Sequence, residues 1–238
     1  MGRGKKIVIE LDNVWKSYAE GNVNALKGIS LKVHESDFVS IIGPSGSGKS
    51  TCMNMIGLLD VPTKGKILLD GKDVSKLSEN ELARLRGKKV GFIFQQFNLI
   101  PTLTALENVL LPVMFQDQSD HSRERAMAIL NKVGLGDRMN HRPSQMSGGE
   151  QQRTAIARAL INDPEIVLAD EPTGNLDSKT GKGIMDLLVE LHEKEGKTLV
   201  VITHDPRVAD YAHQVINIID GQIVHDHGME KSFVWKNK

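Results

Sequence analysis

The sequence predicts an α/β fold: a parallel β-sheet core with an N-terminal antiparallel β subdomain and an inserted α-helical subdomain. Short apolar segments alternate with helical segments before residue 95 and again after residue 150. The first strand candidates follow one another directly, with a turn signal between two of them. Residues 95–146 carry helical spacing and no convincing strand. These three observations together favour strands and helices built around one sheet, interrupted by a helical insertion.

The composition fits a protein with one sizeable core. Among 238 residues, 30 Lys and Arg balance 30 Asp and Glu, so the formal net charge is zero and no nucleic-acid partner is expected. The single cysteine, Cys52, is expected to be a small buried residue. No apolar run approaches the roughly 20 residues of a membrane helix, and the N-terminal apolar segment is too short for a signal peptide. A soluble cytosolic chain is therefore expected.

Six segments before residue 95 have the apolar pattern of short β-strands. They are residues 7–11, 13–18, 25–33, 37–42, 65–69 and 89–94. Gly21 and Asn22 predict a turn, and a helix is expected over residues 49–58. A capping box at Ser78 predicts a second helix that ends by Gly87. The strand at 89–94 delivers Gln95 at its end.

The second half of the chain begins with the helical insertion. Most of its apolar residues are predicted to be core, Met127 and Met146 included. Four apolar residues sit beside turns where a partner could reach them: Phe97, Leu99, Ile100 and Phe115. Helices are then expected at residues 150–161 and 178–195, with strands at 165–170, 198–203 and 214–220. We expect one domain over 1–228, with its core at about 1–94 and 151–228, a helical subdomain at about 95–150, and a tail at 229–238.

Residues 43–51 read GPSGSGKST and match G-x-x-x-x-G-K-[ST] directly after a predicted buried strand. The glycines let the backbone bend so that successive N–H groups form an anion nest at a helix start. Lys49 can then reach the outer phosphates, and the Ser50 hydroxyl can ligate magnesium. The alternative is a glycine turn with a lysine by chance. We predict a nucleoside triphosphate site formed by Gly43, Ser45, Gly46, Ser47, Gly48, Lys49, Ser50 and Thr51.

Two carboxylates end another predicted strand, where ligands bind in sheets of this kind. Asp170 can hold magnesium, and Glu171 can orient or deprotonate an attacking water. His204 and Gln95 end two further strands and could contact the terminal phosphate and the metal or water shell. Each of these two could instead be a polar residue that caps a loop. Tyr18 could stack on a purine or be an ordinary strand aromatic.

A second anion nest is predicted at residues 146–150, MSGGE, where a serine and two glycines precede a helix. It lies far along the chain from Lys49, and one nucleotide already has its nest. We therefore infer that Ser147, Gly148 and Gly149 serve a nucleotide held by another copy of the chain. The histidines at 225 and 227 lack a supporting ligand set and are expected to lie in a solvated strand end.

With these residues in hand, the chain resembles the ATP-binding cassette (ABC) ATPases, which have a P-loop NTPase (RecA-like) core. The resemblance covers nearly the whole chain and rests on six motifs in one order. It implies ATP and Mg²⁺ as ligands and these roles: Walker A at 43–51, Q-loop Gln95, signature at 146–150, Walker B Asp170 with catalytic Glu171, D-loop Asp177, switch His204 and adenine-stacking Tyr18. The signature usually reads LSGGQ, so Met146 and Glu150 depart from it at its ends.

Residues 94–109 and 169–181 look most similar to the lipoprotein-release and macrolide-export group (LolD/MacB-like). The resemblance implies a homodimer that closes head to tail around two ATP molecules. It also implies a peripheral position on the cytoplasmic face of the membrane, where the groove around residues 95–101 drives a separate MacB/LolCE-like permease. Two other functions stay open: a cassette that signals to cell-wall hydrolases, and a soluble cassette ATPase unconnected with transport.

Overall fold

The computed structural model describes residues 5–19, 23–114 and 121–224. The predicted turn at Gly21 and Asn22, the apolar Phe115, the histidines at 225 and 227, and the tail at 229–238 lie outside the described residues. The strands are β1 (Ile7–Tyr18), β2 (Val23–His34), β3 (Phe38–Ile42), β4 (Lys64–Leu69), β5 (Lys72–Asp73), β6 (Val90–Ile93), β7 (Ile166–Asp170), β8 (Thr198–Ile202), β9 (Gln214–Ile219) and β10 (Gln222–Val224). The α-helices are α1 (Lys49–Ile56), α2 (Glu79–Lys89), α3 (Ala105–Met114), α4 (Ser122–Lys132), α5 (Gly148–Leu160), α6 (Ser178–Glu195) and α7 (Pro206–Ala209).

The larger sheet has the strand order β10-β9-β3-β8-β7-β6. Strands β9, β3, β8, β7 and β6 are parallel, and β10 pairs antiparallel with β9. The carboxyl ends of parallel strands lie at one edge of a sheet, which is where ligands bind in this architecture. The segments that follow β3, β6, β7 and β8 therefore meet at that edge. This confirms the predicted parallel core.

The smaller sheet is antiparallel and has the order β2-β1-β4-β5. The prediction of two separate strands at 7–11 and 13–18 was wrong, because they form the single strand β1. The register shifts between Leu11 and Val14, and Asn13 there has φ 48°. An asparagine tolerates this left-handed conformation, and its backbone N–H donates to the Ser30 hydroxyl at 3.0 Å instead of to a ladder carbonyl.

The parallel sheet is covered on both faces, and alternate residues of its strands face opposite sides. Leu168 and Val200 pack in a buried cluster with α1 and the antiparallel sheet. Val167 and Val201 pack in a second buried cluster with α3, α4, α5 and α6. Both clusters consist mainly of fully buried aliphatic side chains, so the sheet is held between two apolar layers.

Several predicted helix boundaries were wrong by one or two residues. Helix α1 ends at Ile56 because Leu58 adopts the left-handed conformation at φ 55°, and Leu59 N–H donates back to Asn54 O at 2.8 Å. Helix α2 opens with the predicted capping box but continues to Lys89, whose ammonium pairs with Asp70 and Glu165. The strand that follows is correspondingly short.

The helical insertion contains α3, α4 and two short 3₁₀ segments, Gly136–Arg138 and Pro143–Gln145, and its described residues form no strand. Met146 is buried as predicted, whereas Met127 is 39% exposed and the core prediction for it was wrong. Among the residues with described coordinates, no helix combines the length and apolar character that crossing a membrane requires.

Candidate functional site

The glycine-rich segment connects β3 to α1 at the carboxyl edge of the parallel sheet. Gly48 is the N-cap of α1 with φ 104°, and a Cβ there would lie 2.5 Å from Ala25 O. No L side chain fits at that position without moving the backbone. The first turn of α1 therefore presents backbone N–H groups that have no partner within the helix, as an anion nest requires.

Lys49 closes the loop on itself. Its Nζ donates to Gly43 O and to Pro44 O, each at 2.8 Å. The Ser47 side chain is buried, and its Oγ has no hydrogen-bond partner within the described part of the chain. Ser47 O accepts from Gly221 N–H at 2.9 Å, which ties the loop to the turn after β9. An anion in the nest would give the Lys49 ammonium a negatively charged partner in place of two neutral carbonyls. It would also give the Ser47 hydroxyl a hydrogen-bond acceptor.

A cleft of about 290 Å³ lies beside this loop. It is lined by Val23, Asn24, Ala25, Lys27, Gly46, Gly48, Lys49, Ser50, Thr51, Asp220 and Gly221. Tyr18 does not line it: its hydroxyl donates to Asp60 Oδ2 at 3.2 Å, and the Lys16 ammonium lies 5.1 Å from its ring centre. The stacking of Tyr18 on a base stays a prediction.

The two predicted acids follow each other at the end of β7. Burial, and then the negative charge of Glu171, raise the pKa of Asp170 above its ordinary value, while Lys49 lowers it. A crowded carboxylate of this kind is stabilised by a cation. Carboxylate and hydroxyl oxygens suit Mg²⁺, which takes few protein ligands and completes its shell with phosphate and water. The chemistry of Asp170 and Ser50 therefore fits a magnesium ion, although no cluster of three acidic, histidine or cysteine ligands occurs among the described residues.

Replacing Asp170 with asparagine is expected to stabilise the nucleotide-free protein at pH 7. A carboxyl whose native pKa is raised binds its proton more tightly in the folded state, so stability falls as the pH rises through the interval between the two pKa values. The gain should disappear below roughly pH 4, where the carboxyl is protonated in both states. Urea denaturation at pH 7 and pH 4 measures it. Asp177→Asn is a control of opposite sign, because hydrogen bonds from Thr180 lower the pKa of Asp177.

Glu171 is held by the loop after β8. Its Oε1 accepts from His204 N–H at 3.0 Å and contacts His204 Nδ1 at 2.6 Å, while the buried Thr203 hydroxyl donates to Oε2 at 3.2 Å. Glu171 has φ 45°, a conformation that non-glycine residues rarely adopt and that concentrates at functional sites. The structure thus brings together Glu171 and His204, two residues that the sequence placed at separate strand ends.

Gln95 lies in the segment after β6 and is joined to the loop after β7. Asn175 Nδ2 donates to Gln95 O at 2.8 Å, and the Gln95 amide lies 3.5 Å from Asn175 Oδ1. Arg158 of α5 donates to Phe97 O at 2.8 Å and also to Asn98 O. Sequence reasoning missed Arg158, because a cation within a helix carries no local sign of carbonyl groups about sixty residues away.

The MSGGE segment forms the start of α5. The prediction placed both glycines before the helix, but Ser147 is the N-cap and both glycines lie in the first turn. The Ser147 hydroxyl accepts from Glu150 N–H at 3.3 Å, so the N–H groups of Gly148 and Gly149 have no partner within the helix. Asp177 caps α6 by accepting from Lys179 N–H and Thr180 N–H, each at 3.1 Å. A Cβ on Gly149 would lie 2.5 Å from Thr180 Cγ2, so the starts of α5 and α6 are neighbours.

Comparison with known proteins agrees with this geometry. A family model described as ABC transporter matches residues 26–174. An ABC transporter ATP-binding protein of Thermotoga maritima is 54% identical over 221 residues, 92% of this chain and 94% of that protein. The macrolide export ATP-binding/permease protein MacB of Chlorobaculum tepidum is 50% identical over 221 residues, which are 92% of this chain but 34% of MacB.

A solved structure extends the likeness to three dimensions. The ATP-binding cassette MJ0796, from Methanocaldococcus jannaschii, matches in a dimeric post-hydrolysis state bound to ADP and Pi. The match has a TM-score of 0.83 at 50% identity and covers 91% of this chain and 97% of that one. The family model alone spans more than half of the sequence. The chain therefore belongs to the ABC transporter family, as one of its nucleotide-binding, ATP-hydrolysing subunits.

Proposed function

We propose that two copies of this chain close around two ATP molecules and drive a membrane permease made by other polypeptides. One observation supports the proposed dimer. The cleft beside Lys49 includes none of Ser147, Gly148 and Gly149, so each copy offers two phosphate-binding helix starts that do not share a site. A head-to-tail pair would join the Lys49 cleft of one copy to the α5 start of the other.

The relatives support both parts of the proposal. MJ0796, 50% identical to this chain, has been solved as a dimer bound to ADP and Pi. CbiO1 of Clostridium perfringens, 27% identical with a TM-score of 0.83, is described as part of a transporter complex. MacB joins an ATP-binding region to a permease, whereas the Thermotoga relative is an ATP-binding protein of nearly this chain's length. We propose the second arrangement for this chain.

Each residue of the site has a separate role in the proposed ATP hydrolysis. Lys49 and the N–H groups of the loop would bind the phosphates, and Ser50, Gln95 and Asp170 would hold Mg²⁺, which neutralises phosphate charge when bound. Glu171 would orient the attacking water and accept its proton. His204 would contact the terminal phosphate from the adjacent loop. Asp177, at the start of α6, would lie close to the partner's nucleotide.

We further propose that the chain sits on the cytoplasmic face of a membrane and contacts the permease through an apolar groove. The groove, of about 320 Å³, lies between α2, β6, α3 and α5 and is lined in part by Leu59, Phe92, Phe94 and Pro112. Ile100 and Met114, exposed by 41% and 75%, are further apolar residues from the segments around α3. Arg158 lines the groove and also donates a hydrogen bond to Phe97 O in the segment after Gln95. A change in the position of Gln95 would therefore be transmitted through Arg158 to a partner in the groove.

Leu59→Glu is expected to reduce co-purification of an integral membrane protein with the tagged chain from detergent-solubilised membranes, because the introduced carboxylate loses its hydration when the permease covers the groove. Met127→Glu is the matched control, since both side chains are 39% exposed but Met127 does not line the groove. ATP hydrolysis of the isolated variants should be unchanged. Recovery of ribosomes without a membrane protein would contradict the proposal, and a permease that recruits cell-wall hydrolases would redirect it from cargo transport to signalling.

A further inference from the structure

The cap of helix α5 is built from a carboxylate. Ser147 N–H donates to Glu150 Oε2 at 2.8 Å, and the Ser147 hydroxyl donates to the same oxygen at 2.9 Å. In return, the hydroxyl oxygen accepts from Glu150 N–H at 3.3 Å. The bonds that Ser147 donates lower the pKa of Glu150, and the bond from the backbone N–H has the larger effect. The Glu150 side chain therefore carries a full negative charge near neutrality. The start of α5 is therefore ordered and partly neutralised by its own side chain.

That charge is unfavourable for the site proposed above. The start of a helix attracts anions through its free N–H groups and its positive dipole end. A carboxylate already bonded to Ser147 offsets the dipole and would repel a triphosphate that approaches the same residue. The Ser147 hydroxyl is also committed to the carboxylate, so it must turn away before it can donate to a phosphate. An anion can bind there only if the charge of Glu150 is compensated and its carboxylate is held in place.

Arg138 meets both requirements. Its Nε lies 3.4 Å from Glu150 Oε1, the carboxylate oxygen that does not bond Ser147. Its Nη1 lies 3.0 Å from His141 Nε2, a ring nitrogen that can accept a hydrogen bond from the guanidinium. The guanidinium is thus fixed by two acceptors. Within the described chain, Arg138 is the one cation that forms an ion pair with Glu150.

The ion pair between Arg138 and Glu150 lies at the surface, where it can affect the site more than it affects folding stability. Arg138 is the last residue of the 3₁₀ segment Gly136–Arg138, which follows α4. It borders an open polar depression together with Asn131, Gly134, Gly136, Asp137 and Glu150. The side chains of Arg138 and Glu150 are 50% and 29% exposed. An ion pair exposed to this extent contributes little to folding stability. The charge of Arg138 still acts on the start of α5, because Glu150 lies in the first turn of that helix.

We propose that Arg138 is a positioning residue that compensates the charge of Glu150 and holds its carboxylate in place, so that Ser147, Gly148 and Gly149 can bind the terminal phosphate of ATP held by the partner copy. The inference rests on the proposed function, since it requires that the start of α5 receive that phosphate. Glutamine in place of Glu150 could form the same capping box without a charge. The need for Arg138 therefore depends on the charge of Glu150.

A double-mutant cycle in the Glu171→Gln background tests this dependence. The measurement is the ATP concentration at which half of the protein is dimeric, followed by light scattering with Mg²⁺ present. Arg138→Ala should raise that concentration roughly fivefold or more, since a neighbouring charge loses its compensation. In the Glu150→Gln background, Arg138→Ala should change it by less than about twofold. High salt should shrink the first effect and leave the second unchanged.

Two further variants test whether the effect is specific to the charge of Arg138. Lys194→Ala removes an exposed cation paired with Glu190 at 2.7 Å near the end of α6, and it should leave the ATP dependence unchanged. Arg138→Gln keeps most of the side-chain length, so it should reproduce the effect of alanine with the same thermal unfolding temperature as the parent.

The outcomes distinguish this inference from the proposed function. A Glu171→Gln parent that stays monomeric at saturating ATP overturns the proposed function and this inference with it. A parent that dimerises normally, with Arg138→Ala dimerising at the same ATP concentration, overturns this inference alone. Equal losses with Glu150 and with glutamine at that position would also overturn it, because they would show that Arg138 acts only through local structure.

Discussion

Glu171→Gln is expected to reduce steady-state ATP hydrolysis by roughly 10²- to 10⁴-fold, the usual contribution of a positioned general base. The glutamine carbonyl oxygen can still accept the two hydrogen bonds that His204 directs at Glu171 Oε1. The amide, however, cannot take a proton from water. The loss should therefore appear in kcat, with the affinity for ATP preserved.

The same substitution is expected to trap the ATP-bound dimer. It removes a negative charge that would face the triphosphate and that raises the pKa of Asp170, so the triphosphate is repelled less and Asp170 ionises more readily. Phosphate release and light scattering with ATP and Mg²⁺ measure the two effects. Glu190→Gln, an exposed acid paired with Lys194, is the control and should change neither. Undiminished hydrolysis would remove Glu171 from the catalytic role proposed for it.

The local features of the site could be predicted from the sequence because each is a strand followed by a short motif. Glu171 and His204 are 33 residues apart, and both were placed at the ends of buried strands. Their contact depends on the neighbouring position of β7 and β8 and on the register that sets Asp170 beside Ile202. Local apolar patterns do not encode that adjacency. The edge of the sheet was therefore predictable, and the pairing across it was not.

Two contacts that sequence reasoning missed depend on packing. The guanidinium of Arg158 reaches the carbonyls after Gln95 only because α5 packs against the region of β6. Arg138 and Glu150 meet because a 3₁₀ segment folds back on the start of α5. The error at Met127 has a local cause: the buried residues of α4 are Ala126 and Leu130, and Met127 lies one step around the helix from that stripe.

The nucleotide site is already organised by contacts between loops. Asn175 holds the backbone at Gln95, and the loop containing His204 holds Glu171. Both links join segments that follow neighbouring strands, so the phosphate-facing edge of one copy is largely formed before ligand binds. What one copy does not bring to the Lys49 cleft is the start of its own α5. Complementation between two defective copies follows from that separation.

Lys49→Met and Gly148→Asp are each expected to reduce ATP hydrolysis by roughly tenfold or more at sub-saturating ATP, and a mixture of the two variants is expected to recover part of it. Methionine keeps the apolar stem of Lys49 but loses the charge-assisted bond to phosphate, worth about 1.5–3 kcal/mol, or roughly 10- to 100-fold in affinity. Aspartate at Gly148 places a negative charge where the partner's phosphate would bind. It should not unfold α5, because an acid is favoured in the first turn of a helix and its Cβ would lie 3.2 Å from the flexible end of Leu176.

In a mixed dimer, one site combines the intact loop of the Gly148→Asp copy with the intact α5 start of the Lys49→Met copy. Random pairing makes half of the dimers mixed with one good site of two, so activity should return to about a quarter of wild type if the sites act independently. The control is a chain that carries both substitutions: mixed with either single variant it forms no intact site and should restore nothing. Activity that stays at the sum of the separate variants would mean that each copy completes its own site, and the dimer proposed here would be wrong.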